Sequence, residues 1–333
     1  MATMLEIATA AGVAKSTVSR ALREDPTLSI GEETRDRIFQ TAQQMGYHIK
    51  KKKLLSGASS IVVIHKDTHF LNQLDNAYYF SVRYGIEKVC LTLGIQCSFV
   101  PFHFLHQFPM HADGIIVMGN FEKEQIHEMI DFSHKIPMIF IGKINYAPVL
   151  MDWVTYDVKA SVDMAMQYLL DTGHTTVIYI GGHDVLGTPN EYQKLFHFKH
   201  FLAEHPQLTC LDIIEGNHGT ESGYQMTQAW LAQHMPLPQA IFVSNDPIAF
   251  GVLRSLAEKD ISVPSQISII SINGDGPGAS STPPLTTVDI HTSDMGEEAV
   301  RCLHERMQKE RTLIKKVLFA PTLISRNSVH SSL

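Results

Sequence analysis

Hydrophobic and polar positions follow two different rhythms along the chain. In the first fifty residues the apolar positions recur at helical spacing. Thr3-Met4-Leu5-Glu6 fits a capping box, in which the Thr3 hydroxyl takes a free backbone N–H and Glu6 reaches back. The spacing predicts a short helix ending at Gly12, a second over Lys15 to Leu22, and a third over about Glu32 to Met45. The third carries Ile38, Ala42 and Met45 on one face, with Gly46 as its stop. From Ile61 onward, apolar runs rich in β-branched residues alternate with helical stretches. Strands are predicted at Ile61–His65, Ile95–Phe102, Gly114–Gly119, Pro137–Gly142, Thr176–Gly181, Asp212–Gly216, Ala240–Ser244, Ile267–Ile272 and Lys316–Ile324. Helices are predicted at Ser81–Leu93, Glu124–Ser133, Val158–Asp171, Glu191–Glu204, Tyr224–His234 and Ile248–Lys259. In the first of these Val82, Ile86, Val89 and Leu93 share a face.

Two short helices joined at a glycine form a helix-turn-helix, and three small helices have too thin a core to enclose an enzyme pocket. The βα alternation implies parallel sheets covered by helices, in two lobes because the units are too many for one sheet. The predicted fold is therefore an all-α helix-turn-helix head on a two-lobed α/β body.

Composition narrows the classes. Of 333 residues, 44% are apolar and 18% charged, enough apolar content for packed cores and too much for a disordered chain. No run approaches the ~20 apolar residues that span a bilayer, so no membrane is expected. The first residues do not read as a signal peptide. Cys90, Cys97, Cys210 and Cys302 are scattered, as reduced thiols of a cytoplasmic protein would be. The net charge of −7 hides an asymmetry: residues 1–60 carry nine basic and six acidic side chains, a net of +3, against −10 for the rest. A basic head on an acidic body suits a polyanion-binding head.

On the second helix Val18 and Leu22 are placed inward, which turns Lys15, Ser16, Ser19 and Arg20 outward. Lys15 and Ser16 stand at the helix start, where base edges are met, and Arg20 can pair bidentately with guanine. Thr17, Ser19 and Thr34 are short hydroxyl donors suited to phosphate oxygens. A solvated amphipathic helix is the plain alternative. After the head, Lys50 to Lys53 precede Leu54, Leu55, Ser56 and Gly57, which alone reads as a solvated linker.

In two-lobed α/β bodies ligands bind beyond the carboxyl ends of the strands. That position belongs to His65-Lys66-Asp67, Asn245-Asp246 and Asn273-Gly274-Asp275, whose amides and carboxylates suit sugar hydroxyls as well as ordinary turns. Enzyme signatures are missing: no HExxH, GxSxG, GxGxxG or GxxxxGK[ST] occurs. His197 and His200, three apart on a predicted helix, could make half a metal site but read better as a solvated face. No cofactor, metal or catalytic residue is expected.

The string Met4-Leu5-Glu6-Ile7-Ala8 … Ala11-Gly12-Val13-Ala14-Lys15-Ser16-Thr17-Val18-Ser19-Arg20-Ala21-Leu22, with Thr34-Arg35 and Gly46-Tyr47, resembles the head of the lactose/galactose repressor family of bacterial transcription regulators. Ser244-Asn245-Asp246, Gly173-His174, Val263-Pro264 and Pro283-Pro284-Leu285-Thr286-Thr287 are similar to that family's landmarks, so the resemblance covers nearly the whole chain. Tyr78-Tyr79, Ile272-Asn273 and Ile290-His291 look closest to the branch typified by the repressor of the Ebg β-galactosidase operon. The resemblance implies a periplasmic-binding-protein-like body and a domain plan. Residues 1–47 would be the DNA-binding head and 48–60 a hinge. Residues 61–155 and 289–318 would form one effector-binding lobe, and 156–288 and 319–333 the other.

It further implies a repressor, homodimeric for want of a heptad tail, on double-stranded operator DNA. Leu55, or second Leu54, would wedge into the minor groove. A small sugar effector, by the branch likeness a galactoside, would bind between the lobes to Asn245, Asp246, Asn273, Tyr192, Lys66 and Asp67. The sequence departs from the family pattern at the hinge, where the usual Pro-Asn and Ala-Arg residues are absent and the segment is a residue shorter than usual, and at four further places. Ala14 lacks the usual cap hydroxyl, at about 1 kcal/mol. Tyr192 stands for an effector-binding Arg, and Gly142 and Gly274 stand where acids are usual. A two-lobed sugar receptor without a transcriptional role is the alternative that the resemblance leaves.

Overall fold

The structure is a computed structural model, and it describes residues 4–21, 30–31, 34, 37–38, 41–42, 59–66, 75–107, 112–119, 121–133, 136–142, 151–183, 190, 193–233 and 236–330. It divides into two compact units, Met1–Ala58 and Ser59–Leu333.

In the first unit α1 spans Met4–Ala11 and α2 spans Lys15–Ala21. Gly12 joins them at φ +68°, a left-handed conformation that glycine adopts without penalty. The Val13 amide closes the turn on the Ala8 carbonyl at 3.0 Å. Ile7, Ala8, Ala11, Val18 and Ala21 are buried together with Ile38 and Ala42 from the third helical stretch. Arg37 ties that stretch to α1 by donating Nε to the Ala11 carbonyl at 3.2 Å. Leu22 lies outside the described residues; the inward partner of Val18 seen here is Ala21.

The second unit holds two six-stranded sheets. The first has the order β11-β5-β4-β3-β1-β2 and the second β12-β10-β9-β8-β6-β7. The first is built from β1 (Ser60–His65), β2 (Gln96–Pro101), β3 (Gly114–Met118), β4 (Met138–Ile141), β5 (Asp152–Tyr156) and β11 (Lys316–Phe319). The second takes β6 (Thr176–Gly182), β7 (Thr209–Gly216), β8 (Ala240–Val243), β9 (Ser268–Asn273), β10 (Thr286–Asp289) and β12 (Thr322–Ile324). All pairs are parallel except β10 with β12. The central strands are buried along their whole length, as helix cover on both faces demands.

The helices are α3 (Ala77–Leu93), α4 (Lys123–Phe132), α5 (Val158–Asp171), α6 (Lys194–Glu204), α7 (Thr220–Leu231), α8 (Asp246–Ala257) and α9 (Thr292–Met307). Several start where the sequence supplies a cap. Asp157 accepts from the Ala160 amide at 2.9 Å to open α5, and Glu122 with Gln125 makes a capping box on α4. In α3, Val82, Ile86 and Val89 are buried as their spacing predicts, whereas Leu93 is exposed, because the chain turns away at Gly94.

Besides β10, which the sequence pattern did not predict, three elements depart from the sequence expectation. The stretch Lys316–Ile324 is two strands rather than one. The chain crosses between lobes at residues 320–321, so β11 joins the first sheet and β12 the second. Strand β5 carries a fully buried Asp152, which accepts from Arg311 at 3.0 and 2.6 Å and from the Lys315 amide at 2.7 Å. The partner that makes this acid tolerable lies 159 residues away, so the run does not read as apolar. Helix α9 contains Gly296 mid-course. A Cβ there would meet the Val82 carbonyl oxygen at 2.1 Å, and one on Gly85 the Ser293 carbonyl oxygen at 2.0 Å. The two glycines let α3 and α9 pack backbone to backbone.

Candidate functional site

In the first unit the outward face of α2 presents Lys15 and Arg20, both exposed, while Thr17 is half-buried beside the inward Val18. Ser16 and Ser19 lie on the same helix, and Thr34 is a helical residue of the third stretch. Leu55 lies outside the described residues. A cation pair on a short helix held by a glycine turn is the arrangement that a major groove accepts.

In the second unit, the carboxyl ends of both sheets carry the remaining candidates. In the second lobe, Asn245 ends β8 and caps α8, its Oδ1 accepting from the Ile248 amide at 2.9 Å. Its Nδ2 is 3.2 Å from His218 Nδ1, and His218 Nε2 is 3.1 Å from the His183 carbonyl. One tautomer satisfies both bonds: Nδ1 accepts and Nε2 donates. The His218 ring sits on Gly182, where a Cβ would approach it to 2.3 Å.

Asn273, at the end of β9, is buried and donates Nδ2 to Asp275 Oδ2 at 3.0 Å. Asp246 is engaged within the second lobe. It is fully buried; Oδ1 accepts from the Ser271 and Thr287 hydroxyls at 2.5 and 2.6 Å, and Oδ2 accepts from the Asp275 amide at 2.7 Å. Burial pushes its carboxyl above the ordinary range, against the pull of those donors and of Lys194. Asp246 thus ties β9, β10 and the turn after β9 to α8, with both of its oxygens engaged within the protein.

The sequence placed Asp275 beyond a strand end without assigning it to the effector. Its amide and Oδ2 are both engaged, yet Oδ1 is buried without a partner. Burial, then the charge of Asp246, pushes its carboxyl up to about 7; the Asn273 bond and Lys194 oppose the rise and Asp289 adds to it. Lys194, at the start of α6, is buried, donates Nζ to the Ser244 carbonyl and stands 5.9 Å from the Tyr156 ring centre.

From the first lobe, Tyr78 on α3 faces this group. Burial, with Tyr156, Tyr79 and Asp275 nearby, raises its hydroxyl well above the ordinary phenol range. Its ring meets Tyr79 edge to face at 5.1 Å. A Cβ on Gly142, just past β4, would lie 3.2 Å from the Tyr78 hydroxyl oxygen. The phenol therefore occupies the space beside the position where the family pattern has an acid. Asp75, also in the first lobe, reaches across to α7, accepting from the Thr220 amide and hydroxyl, both at 2.7 Å. Lys66 follows β1 and borders a cavity of about 20 Å³ with Tyr79, Phe80 and Phe99. Asp67 and Tyr192 lie outside the described residues.

The structure thus brings Asn245, Asn273, Asp275, Lys194 and Tyr78 to the facing ends of two sheets. Among the described residues, no group of three or more His, Cys, Asp or Glu could hold a metal ion, and no helix is long and apolar enough to cross a membrane.

A helix-turn-helix core in one unit and a two-lobed α/β cleft in the other define a DNA-binding transcription regulator with a ligand-binding body. Residues 3–49 match the family described as bacterial regulatory proteins, lacI family, and residues 166–329 match a periplasmic binding protein-like domain. The HTH-type transcriptional regulator GalR of Streptococcus thermophilus is 30% identical over 339 aligned positions, covering 98% of this chain and 99% of that protein. The chain belongs to the lacI family of bacterial regulatory proteins. Its fold is that of the transcriptional regulator CelR in complex with cellobiose (TM-score 0.71, 20% identity, 98% of this chain and 100% of that one). The lac repressor dimer bound to operator and the anti-inducer ONPF matches equally in fold (TM-score 0.71, 18% identity, 98% of each chain).

Proposed function

We propose that the chain is a sugar-responsive repressor of a sugar-utilisation operon in the cytoplasm. It acts as a homodimer on double-stranded operator DNA and is not an enzyme. In this reading Lys15, Ser16 and Arg20 meet base edges, Thr17, Ser19 and Thr34 meet phosphates, and Leu55 enters the minor groove. The effector binds between the lobes to Asn245, Asn273, Lys66, Asp67 and Tyr192; Asp246 supports the site from beneath. The domain plan is the one the resemblance implies, with the hinge at residues 48–60. A galactoside is the proposed effector, from the likeness of Tyr78-Tyr79, Ile272-Asn273 and Ile290-His291 to the Ebg repressor branch. The CelR complex holds cellobiose, which supports a sugar in this fold's cleft.

The single observation that carries the reading is a glycine-turned helix pair with exposed Lys15 and Arg20 in a chain whose body closes two sheets on amide, carboxylate and aromatic side chains. The mechanism is a population shift. The effector must bind the DNA-incompetent state several kcal/mol more tightly than the other to switch occupancy. The test is anisotropy of the labelled upstream region of its own gene, titrated with protein and then with lactose, galactose and cellobiose. Binding that one of these sugars releases is the expected result. Binding that no sugar alters would remove the sugar assignment, and no binding at low salt would remove the repressor.

A further inference from the structure

We infer that Asp275 selects the effector: its free carboxylate oxygen accepts a hydroxyl of an uncharged sugar and turns away the phosphate ester or uronate of the same sugar. This rests on the sugar-responsive reading above and names the chemistry of that site.

The geometry leaves Asp275 little other work. Asp275 is 3% exposed and follows the carboxyl end of β9, where ligands bind in this architecture. Its backbone N–H is taken by Asp246 and its Oδ2 by Asn273, so two bonds fix where Oδ1 lies. Oδ1 itself has no donor. A buried carboxylate oxygen without a donor is costly, and the cost is recovered when a ligand hydroxyl fills the place. Among the described residues, the cation that acts on Asp275 is Lys194, and its Nζ is directed to the Ser244 carbonyl. Asp246, Asp275 and Asp289 together outnumber it, so a second anion in the cleft meets repulsion. The groups that act on Tyr78 from the other lobe include this same carboxyl, so the acid stands at the junction of the lobes. Tyr78 also has Tyr79 and Tyr156 among the groups that act on it, so aromatic side chains of the kind that pack on a pyranose gather at the same junction.

The sequence points the same way once the structure is known. Gly274, where an acid is usual, has no side chain, and the acid comes one residue later.

The test uses full-length protein at pH 8, where the carboxyl is ionised. Isothermal titration calorimetry is run with galactose, lactose and cellobiose, and with galactose 6-phosphate and galacturonate. Wild-type protein is expected to bind at least one neutral sugar and to bind the charged derivatives about 100-fold more weakly. Asp275→Asn is expected to lose about 30-fold on the neutral sugar and to narrow the neutral-to-charged ratio about tenfold, with operator binding in the absence of sugar unchanged. Wild-type protein that binds phosphate ester and neutral sugar alike overturns the inference without any variant. So does a folded Asp275→Asn protein with neutral-sugar affinity within twofold of wild type. Protein that binds its operator but no sugar removes the sugar reading and this inference with it.

Discussion

Asp275 is the residue at which chemistry and stability meet. In the unfolded chain its carboxyl would titrate near ~3.9, and in the folded body burial and Asp246 move it to about 7. Between these values the folded state holds a proton that the unfolded state has released. Stability from this group therefore falls as pH rises from about 4 to about 7 and is level above. The charged groups that act on it are Asp246 from α8, Lys194 from α6 and Asp289 from β10, and on the facing lobe Tyr78. Asp275→Asn is expected to be more stable than wild type at pH 8, and that advantage should shrink by about 2 kcal/mol at pH 5. Urea melts of both proteins at the two pH values measure it; an advantage independent of pH would mean that the carboxyl titrates normally. In the head, Arg20→Ala is expected to cost about 1 to 3 kcal/mol on the operator and much less on unrelated DNA, read by competition anisotropy. At this scale the sequence was partly legible. The rule that ligands sit beyond strand ends picked out Asn245 and Asn273, and the structure sets both at strand ends with part of each amide engaged within the protein. That rule also picked out Asp246, and nothing local reveals that Ser271 and Thr287, 25 and 41 residues away, claim one of its oxygens. The same rule reached Asp275 as a strand-end residue but gave it no role, because an orphaned oxygen is a feature that no sequence pattern displays.

Between elements, close packing decides what residues are allowed. Helices α3 and α9 approach through Gly85 and Gly296, and in the second lobe α7 and α8 repeat the device: a Cβ on Gly223 would meet the Ile248 carbonyl oxygen at 2.2 Å. These contacts are with backbone, which cannot turn aside as a side chain can. Gly85→Ala is therefore expected to destabilise the body by roughly 2 to 4 kcal/mol, although alanine is the better helix former by about 1 kcal/mol. Chemical denaturation of the variant checks this; a stabilised protein would mean that the helices stand further apart. The same packing explains why α9 was overlooked. Its apolar positions Met295, Ala299, Cys302 and Leu303 keep helical spacing, but Gly296 among them reads as an interruption. Strands β1, β3, β4, β8 and β9 were legible because they are continuous apolar runs. β5 and β10 were not, because their buried Asp152, Thr286 and Thr287 are paid for by partners distant in sequence.

At the scale of the body, Asp75 on Thr220 is a contact that joins the two lobes. Helix α7 begins at Gly219, which has no side chain with which to cap it. The carboxylate of Asp75 supplies the cap from the opposite lobe, accepting the Thr220 amide and hydroxyl at 2.7 Å each. A cap is typically worth about 1 kcal/mol, and a carboxylate at a helix start gains a further few tenths from the helix dipole. Because the two groups belong to different lobes, that free energy is available only while the lobes are together. A contact present in one state and absent in the other biases the equilibrium by its full worth. If the effector binds the closed cleft, Asp75→Ala should weaken effector binding about five- to tenfold and leave operator affinity without effector nearly unchanged. The variant should also need a correspondingly higher sugar concentration for half-release of DNA, by the same factor, since binding and release draw on one equilibrium. Calorimetry and anisotropy on the same preparation give the two factors. Unequal factors would mean that Asp75 acts on the DNA-binding state by another route, and unchanged effector affinity would mean that the lobes reach this closure whether or not the sugar is bound.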